Sequence, residues 1–426
     1  MSKYVIYSLL CNKSWVYEGT FIMIKKSISK LANNFSIDKN FKLFLIVGVF
    51  IGVATGIYTT IFNNYLSDVF SLSAQARGIV EFPRELPGAF IVIIIGVFAF
   101  IGDIRLFCIG AIFAALGALG LGMFSPTFTV VLVWMMIYSL GMHMQLPLTP
   151  VIGMGLSKQE NYGARLGQYA AYNLFATIFG YGIVWFGFKF LHFTYQISFV
   201  LIAVFYVFAA FSVTKIKNEK SSVKKVHFIF RKKYILYYIL SIVNGARKQI
   251  FLTFAPWVLI QMYGVDPPTF AVLGVIIASV SIMTRTIVGK AIDIKGERFI
   301  LSLEAIILII ICLGYAYADR LVSANIAVVI IAACYVIDNS MNAVEMARST
   351  YVRKIAVHPD DVTPTLAAGT SFDHVVAMSI PFVGGLIWTK YGYEYVFLAA
   401  TAIAVINLIL SRYIHIECGD TDVSNV

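Results

Sequence analysis

The sequence predicts an all-α membrane protein with twelve transmembrane helices in two pseudo-symmetric bundles of six. Three observations lead to this prediction: an unusually apolar composition, twelve apolar windows, and a basic segment that divides the windows six and six. Of the 426 residues, 59% are hydrophobic and 13% are charged, whereas a soluble domain is about half apolar and about a quarter charged. The composition therefore excludes an ordinary soluble enzyme, a disordered protein and a nucleic-acid binder.

Each window is long enough to cross a bilayer as a helix. A hydrocarbon core of about 30 Å requires about 20 helical residues, and a helix satisfies its backbone polar groups internally, as lipid demands. The windows are 42–64, 79–101, 105–124, 128–154, 166–188, 195–214, 234–262, 269–290, 299–317, 324–347, 364–388 and 394–414. The basic linker 215–233 then joins an N-terminal bundle, 42–214, to a C-terminal bundle, 234–414. Residues 1–41 and 415–426 are predicted to be cytoplasmic tails.

The distribution of Lys and Arg predicts the orientation. With the N-terminus inside, 26 of the 33 Lys and Arg residues fall in cytoplasmic segments, and five fall in external ones, Arg77 and Arg84 among them. The remaining two, Arg247 and Lys248, lie inside the seventh window. Because cytoplasmic loops carry the excess of positive charge, both tails are predicted to be cytoplasmic, in a plasma (inner) membrane.

The two halves have the pattern of an internal repeat. Tyr138 and Gln145 in the fourth window align with Tyr335 and Asn342 in the tenth, at an offset of 197 residues. Many transporter folds are built from such repeats. The alignment therefore favours duplication of a six-helix unit.

A short turn carries a family resemblance. The sequence GKAIDIKGER at 289–298, between the eighth and ninth windows, places Gly289, Asp293, Gly296 and Arg298 at the spacing of a known loop motif. This spacing resembles the loop signature of the major facilitator superfamily. The resemblance implies two six-helix bundles, a cavity between them, and alternating access by rocking.

The residues of this turn are expected to form a gating latch. Gly289 should let two helices approach closely, and Asp293 should accept hydrogen bonds from a neighbouring helix N-terminus, where the helix dipole favours an anion. Such a contact would hold one conformation and break in the other. A solvated loop without a latch is the alternative.

Charged side chains inside the windows are the candidate site, since each costs roughly 2.5–3.5 kcal/mol at a helix centre. The predicted substrate-binding residues are Arg247, Lys248, Asn244, Gln145 and Asn342. The predicted proton-coupling residues are Asp338, Asp373, Glu345 and His374. Alternatively, Asp338 and Asp373 neutralise both cations and leave a neutral cavity.

Three further charges, Glu81, Arg84 and Glu85, share one face at the external start of the second window. They are interpreted either as a gate at the cavity mouth or as a cluster at the lipid headgroups. Glu304 in the ninth window is not assigned to the site, because that helix is often peripheral in the family that the chain resembles. His143 is expected to make a hydrogen bond between helices.

The expected function is secondary active transport of a small organic solute, anionic or zwitterionic, coupled to protons. No GxxxxGK[ST] sequence is present, so ATP is not expected to supply the energy. The expected partners are the solute, protons and the lipid bilayer, without nucleic acid, cofactor or metal, and the protein is expected to be a monomer with no catalytic residues. The alternatives are a multidrug efflux proton antiporter and a non-transporting membrane receptor on the same scaffold.

Overall fold

The computed structural model describes residues 38–158, 161–217 and 231–415, and these residues form helices joined by short turns, with no strand among them. The predicted tails and linker lie largely outside the described residues. The α-helices are α1 Lys39–Phe70, α2 Ala74–Phe98, α3 Asp103–Met123, α4 Phe128–Gly155, α5 Tyr162–Phe190, α6 Tyr195–Thr214, α7 Ile235–Tyr263, α8 Pro267–Lys295, α9 Glu297–Leu321, α10 Ala324–Ser340, α11 Glu345–Ile355, α12 Val362–Tyr391 and α13 Tyr393–Arg412.

Ten helices in the described part of the chain are long and apolar enough to cross a membrane, with α10 and α11 counted as one span. Helix α2 and the turn after it together contain two straight segments, Ala74–Ile91 and Ile93–Ile101, which meet at an angle of 48°. If these two segments are counted as one span, it is the eleventh. Helix α7 is not among them, because Asn244, Arg247 and Lys248 interrupt its apolar sequence. The count of twelve transmembrane helices therefore stays a prediction.

Helix ends follow from local chemistry. The Ser73 hydroxyl accepts a hydrogen bond from the Ala76 amide at the start of α2, and Asp266 caps α8 in the same way. Gly102 and Gly296 have φ angles of +91° and +79°. Glycine adopts such angles without steric penalty, so these two residues make the same kind of sharp turn after α2 and after α8.

The buried apolar side chains form separate clusters in the two parts of the chain. One cluster is drawn almost wholly from α1 to α6. Two more are drawn from α7 to α13 and the segments next to them. Each half therefore packs around its own interior, and the surface between the halves is free to carry polar groups.

The halves meet closely at one end. Gly78 of α2 lies against the backbone carbonyl of Pro381 in α12, and a Cβ on Gly385 would come within 2.8 Å of the Ala74 carbonyl oxygen. The Asn64 side-chain amide donates to the Val265 carbonyl at 2.7 Å across the same boundary. The orientation prediction places this closed end on the outside.

Candidate substrate cavity

A cavity of about 370 Å³ lies against the C-terminal half, opposite Leu146 of α4. Its wall carries charged and amide side chains from four helices, α7, α9, α11 and α12, and from the turn between α10 and α11. The polar residues that line it are Tyr237, Ser241, Asn244, Arg247, Lys248, Glu304, Asn342, Glu345, Arg348, Thr370, Asp373 and His374. The structure therefore brings together at one cavity most of the residues that the sequence predicted for substrate binding and proton coupling.

Arg247 of α7 and Asp338 of α10 form a buried ion pair, with 2.6 Å between Nη1 and Oδ1. Asn244, one turn before Arg247, lies 3.5 Å from the other terminal guanidinium nitrogen. The Nε atom of Arg247 is buried and has no hydrogen-bond partner. The guanidinium thus keeps one unsatisfied donor beside the cavity.

Lys248 and Asp373 form the second ion pair, between α7 and α12. Asp373 lies directly against the backbone of Gly245, where an added Cβ would come 3.1 Å from the carboxyl carbon. The other carboxylate oxygen, Oδ1, is buried without a partner. Each of the two cations of α7 is therefore matched with one carboxylate, as the alternative interpretation anticipated.

Glu304 belongs to the cavity wall, which the sequence analysis did not anticipate. Its carboxylate lies 2.6 Å from Arg348 of α11, and both side chains are buried. Arg348 also contacts Glu345 at 3.1 Å. The sequence did contain a sign of this role, because Glu304 is a lone carboxylate inside the ninth window and a buried carboxylate needs a partner.

Two predicted amide ligands have different positions. Asn342 lines the cavity from the 3-10 turn after α10 and donates to the Asn339 carbonyl at 2.9 Å. Gln145 is buried in α4, its side-chain nitrogen has no hydrogen-bond partner, and it is not among the residues that line the cavity.

A second, smaller cavity of about 190 Å³ adjoins the first. Its apolar lining is mainly aromatic, from Tyr58, Phe62, Tyr181, Phe251, Phe270 and Tyr335. Asp338 lines this cavity, whereas its partner Arg247 lines the larger one. The Arg247–Asp338 pair therefore has one partner in the lining of each cavity, and the smaller cavity also contains the charged side chain of Arg84.

The headgroup interpretation of Glu81 is wrong, because Glu81 is fully buried. Its carboxylate contacts Arg77 at 2.5 Å, Arg84 at 2.6 Å and, across the halves, the Gln249 amide at 2.6 Å. Helix α2 begins at Ala74 rather than 79. Arg77, which the sequence analysis placed in an external segment, is consequently a fully buried residue of the helix.

Glu85 and two histidines meet between the halves. The Glu85 carboxylate lies 2.9 Å from Nδ1 of His374 in α12 and 3.1 Å from Arg84. The His143 ring of α4 stands 5.2 Å from the His374 ring, measured between centroids. The hydrogen bonds of His143 are made to Ser139 of its own helix and not to another helix as expected, and its ring lies at the boundary between the halves.

The signature turn lacks the expected close helix approach. No atom lies within 4 Å of a Cβ placed on Gly289, and Asp293 and Arg298 are exposed. The expectation that Gly289 permits a close approach is wrong for this conformation. The contact that the turn does make comes from Glu297, which is fully buried and lies 2.7 Å from Lys354 of α11.

The comparisons with known proteins agree with this architecture. The family model of the Major Facilitator Superfamily matches residues 85–356. No curated protein matches the chain.

Several solved structures share the fold. A mutant of the nucleoside transporter NupG has a TM-score of 0.72 at 13% identity, over 88% of this chain and 99% of that one. A bacterial homologue of the human lysosomal transporter Spinster, in an inward-facing and occupied conformation, has a TM-score of 0.68 at 14% identity. The match covers 87% of this chain and 95% of the homologue. A D-xylose–proton symporter has a TM-score of 0.66 at 12% identity, and the match covers 88% of this chain and 97% of the symporter.

These likenesses show a common fold and do not transfer a substrate. The family match covers more than half of the chain, and the members of that family are transporters rather than enzymes. Together with the ten apolar spans in the described residues, it makes the chain an integral membrane protein that belongs to the Major Facilitator Superfamily.

Proposed function

We propose that this transporter moves a small anionic or zwitterionic organic solute by alternating access, driven by a proton gradient. It is proposed to act in the plasma (inner) membrane with both ends cytoplasmic. The observation that carries the proposal is the buried Arg247–Asp338 pair, one partner of which lines each of the two cavities.

The pair supplies a way to couple the solute to a proton. A guanidinium binds a carboxylate or phosphate through two parallel hydrogen bonds, and the unpartnered Nε of Arg247 provides an additional donor. The acid group of the solute would replace Asp338 on Arg247. Asp338, then a buried carboxylate without a counter-ion, would take up a proton, because an isolated buried charge is strongly unfavourable.

The rest of the lining supports this assignment. Asn244, Asn342 and Lys248 stand within the same cavity and can donate hydrogen bonds to the solute. Among the four predicted proton carriers, we assign the role first to Asp338 because its partner is the proposed solute-binding cation. Asp373, Glu345 and His374 stay candidates for the same role.

The test is transport by the purified protein in liposomes with an imposed pH difference, after a thermal-shift screen of small metabolites has given a ligand. A ligand stabilises the folded state by mass action. Asp338→Asn should abolish accumulation against the gradient and spare exchange of solute. Asp319→Asn is the matched control, because Asp319 bonds to Tyr263 and Tyr393 and lines neither cavity.

Arg247→Gln should weaken binding of an anionic solute, because the guanidinium fork is lost. Accumulation that survives Asp338→Asn would contradict the coupling role of Asp338. Unchanged affinity in Arg247→Gln, or a wild-type preference for organic cations, would contradict the solute class.

One observation favours a second candidate, multidrug efflux. The smaller cavity is lined by six aromatic side chains, and aromatic faces attract flat apolar molecules and organic cations. Outward transport of several unrelated organic cations would support this candidate over the first. Ligand binding without any flux would instead indicate a receptor.

A further inference from the structure

Three side chains of the types that can bind a metal ion, two histidines and a glutamate, converge at the boundary between the halves. One ring nitrogen each from His143 and His374 and one carboxylate oxygen from Glu85 all lie within 4.8 Å of one another. Glu85 and His143 are buried, and His374 borders the larger cavity. The group joins α2 and α4 of one half to α12 of the other.

The orientation of His143 is fixed by its own helix. Its Nδ1 atom lies 2.9 Å from the Ser139 carbonyl and 3.0 Å from the Ser139 hydroxyl. Nδ1 therefore carries the proton that is donated to the carbonyl, and Nε2 keeps its lone pair. A histidine that binds a metal characteristically donates its other ring nitrogen in this way.

The absence of a side chain on Gly88 makes room for both imidazoles. A Cβ at Gly88 would come 2.7 Å from Nε2 of His143 and 2.9 Å from Nδ1 of His374. Both nitrogens therefore point into the same space beside α2. The free lone pair of His143 and the nitrogen of His374 that contacts Glu85 face each other across this space.

We propose that Glu85, His143 and His374 bind one divalent transition-metal ion of the zinc class. Two imidazoles and one carboxylate suit zinc and its neighbours rather than magnesium or calcium, which prefer oxygen ligands. Around a tetrahedral zinc ion, ligand atoms stand about 3.4 Å apart, so spacings of up to 4.8 Å between the three groups would need to shorten by up to about 1.4 Å. A fourth position stays open towards the cavity, since His374 borders it.

The ion would take the place of the proton in the Glu85–His374 hydrogen bond and would tie the two halves together beside the larger cavity. Arg84 keeps its contact with Glu81, a carboxylate that it shares with Arg77, when Glu85 turns to the metal. Sequence spacing gave no hint of this site, since its ligands are 58 and 231 residues apart along the chain.

The experiment is a titration of the purified, tag-free protein with Co²⁺, followed by visible absorption, and with Zn²⁺, followed by calorimetry. We expect one ion per protein and, in Glu85→Gln, His143→Asn and His374→Asn, affinity reduced by at least about tenfold. Gly88→Ala should weaken binding too, because its Cβ enters the space between the histidines. His192→Asn is the control, since His192 is exposed and asparagine tolerates its left-handed backbone.

X-ray absorption at the zinc edge tests the same site in the wild-type protein, so that the result does not depend on the folding of a variant. Two imidazole nitrogens and one carboxylate oxygen are expected around the ion. A coordination shell of oxygen alone, no binding to the wild type, or full affinity in both histidine variants would overturn the proposal.

Discussion

At the residue scale, the cations of α7 are tolerated inside the protein because each has a carboxylate within bonding distance. Arg247 and Asp338 are both buried, so water screens them little. For such a pair, loss of one partner leaves an uncompensated charge, whereas loss of both can be almost neutral.

We predict that Arg247→Gln and Asp338→Asn each lower the free energy of unfolding by about 3–5 kcal/mol. The double variant Arg247→Gln, Asp338→Asn should regain most of this stability while transport stays lost. Unfolding of the detergent-solubilised protein measures the effect. Arg320→Gln, which breaks the partly exposed pair with Glu394, should cost less than about 1 kcal/mol. A double variant as unstable as the single ones would contradict the ion-pair account.

The sequence identified the ionisable residues of the cavity more reliably than their partners. A charged side chain is easy to recognise in an apolar window, because placing a charge inside a membrane is energetically unfavourable. The sequence therefore identified Arg247, Lys248, Asp338 and Asp373. Which carboxylate bonds to which cation depends on the rotation and spacing of three helices, and composition does not encode these. Glu304 was left out of the site because the ninth helix is often peripheral in the family, and its partner Arg348 lies 44 residues away along the chain.

At the element scale, the start of α12 is held to the start of α7 by a hydrogen-bonded cluster. Tyr234 donates to the Asp361 carboxylate at 2.6 Å, and Arg231 lies 2.9 Å from the same oxygen. The Val357 amide donates to the Tyr234 hydroxyl at 2.9 Å. The hydrogen bond from Tyr234 and the positive charge of Arg231 lower the pKa of Asp361 below its ordinary value.

This lowered pKa predicts an acid-dependent loss of stability. A carboxyl group whose pKa is lower in the folded state stabilises the protein fully above its unfolded pKa, about 3.9 for Asp. That stabilisation is lost as the pH falls through the folded pKa. Thermal unfolding between pH 7 and pH 3 should therefore show Asp361→Asn less stable than wild type at pH 7, with the difference narrowing as the pH falls below about 3.9. Asp360→Asn, at an exposed neighbour, should follow the wild type, and parallel curves for Asp361→Asn would contradict the prediction.

The latch in the signature turn stays a prediction for the opposite conformation. Asp293 is exposed in the conformation described, whose other end is closed. We expect Asp293→Asn to leave stability unchanged and to slow transport, because the contact would form when the cytoplasmic end closes. Transport velocity in liposomes is the measurement, and Asp360→Asn again serves as the exposed control. A normal velocity would remove the latch role.

Helix boundaries were predictable where turn chemistry was clear and less so where proline intervened. The windows 105–124 and 394–414 agree closely with α3 and α13. The second window, 79–101, starts five residues after the first residue of α2, Ala74. Two prolines, Pro83 and Pro87, follow in the sequence, and proline is more usual in the first turn of a helix than inside it. In the structure both prolines lie inside α2, where packing against α12 supports the helix.

At the scale of the whole molecule, the described contacts between the halves close one end. Besides the Asn64–Val265 bond, the Gln261 side chain donates to the Ser67 hydroxyl at 2.8 Å. Alternating access requires these contacts to separate during each cycle.

A reversible cross-link at this boundary should therefore stop transport. In the double variant Ser67→Cys, Gln261→Cys, a short thiol-specific cross-linker containing a disulfide should join the halves and abolish solute uptake, and a reductant should restore it. The two variants that carry only one of these introduced cysteines, treated identically, should retain transport, which also controls for the five natural cysteines. Full activity in a completely cross-linked sample would show that these ends do not separate.

The matched cations and carboxylates of the cavity also bear on how the membrane potential acts. Because Arg247 and Lys248 are each balanced by one carboxylate, these pairs give the empty protein no net charge to carry when it reorients. A voltage across the membrane acts on net charge, at about 2.3 kcal/mol per elementary charge per 100 mV. A monovalent anion taken with one proton would cross electrically silently and respond to the pH difference alone. A zwitterion taken with one proton would carry a current, and its uptake would rise with an inside-negative potential.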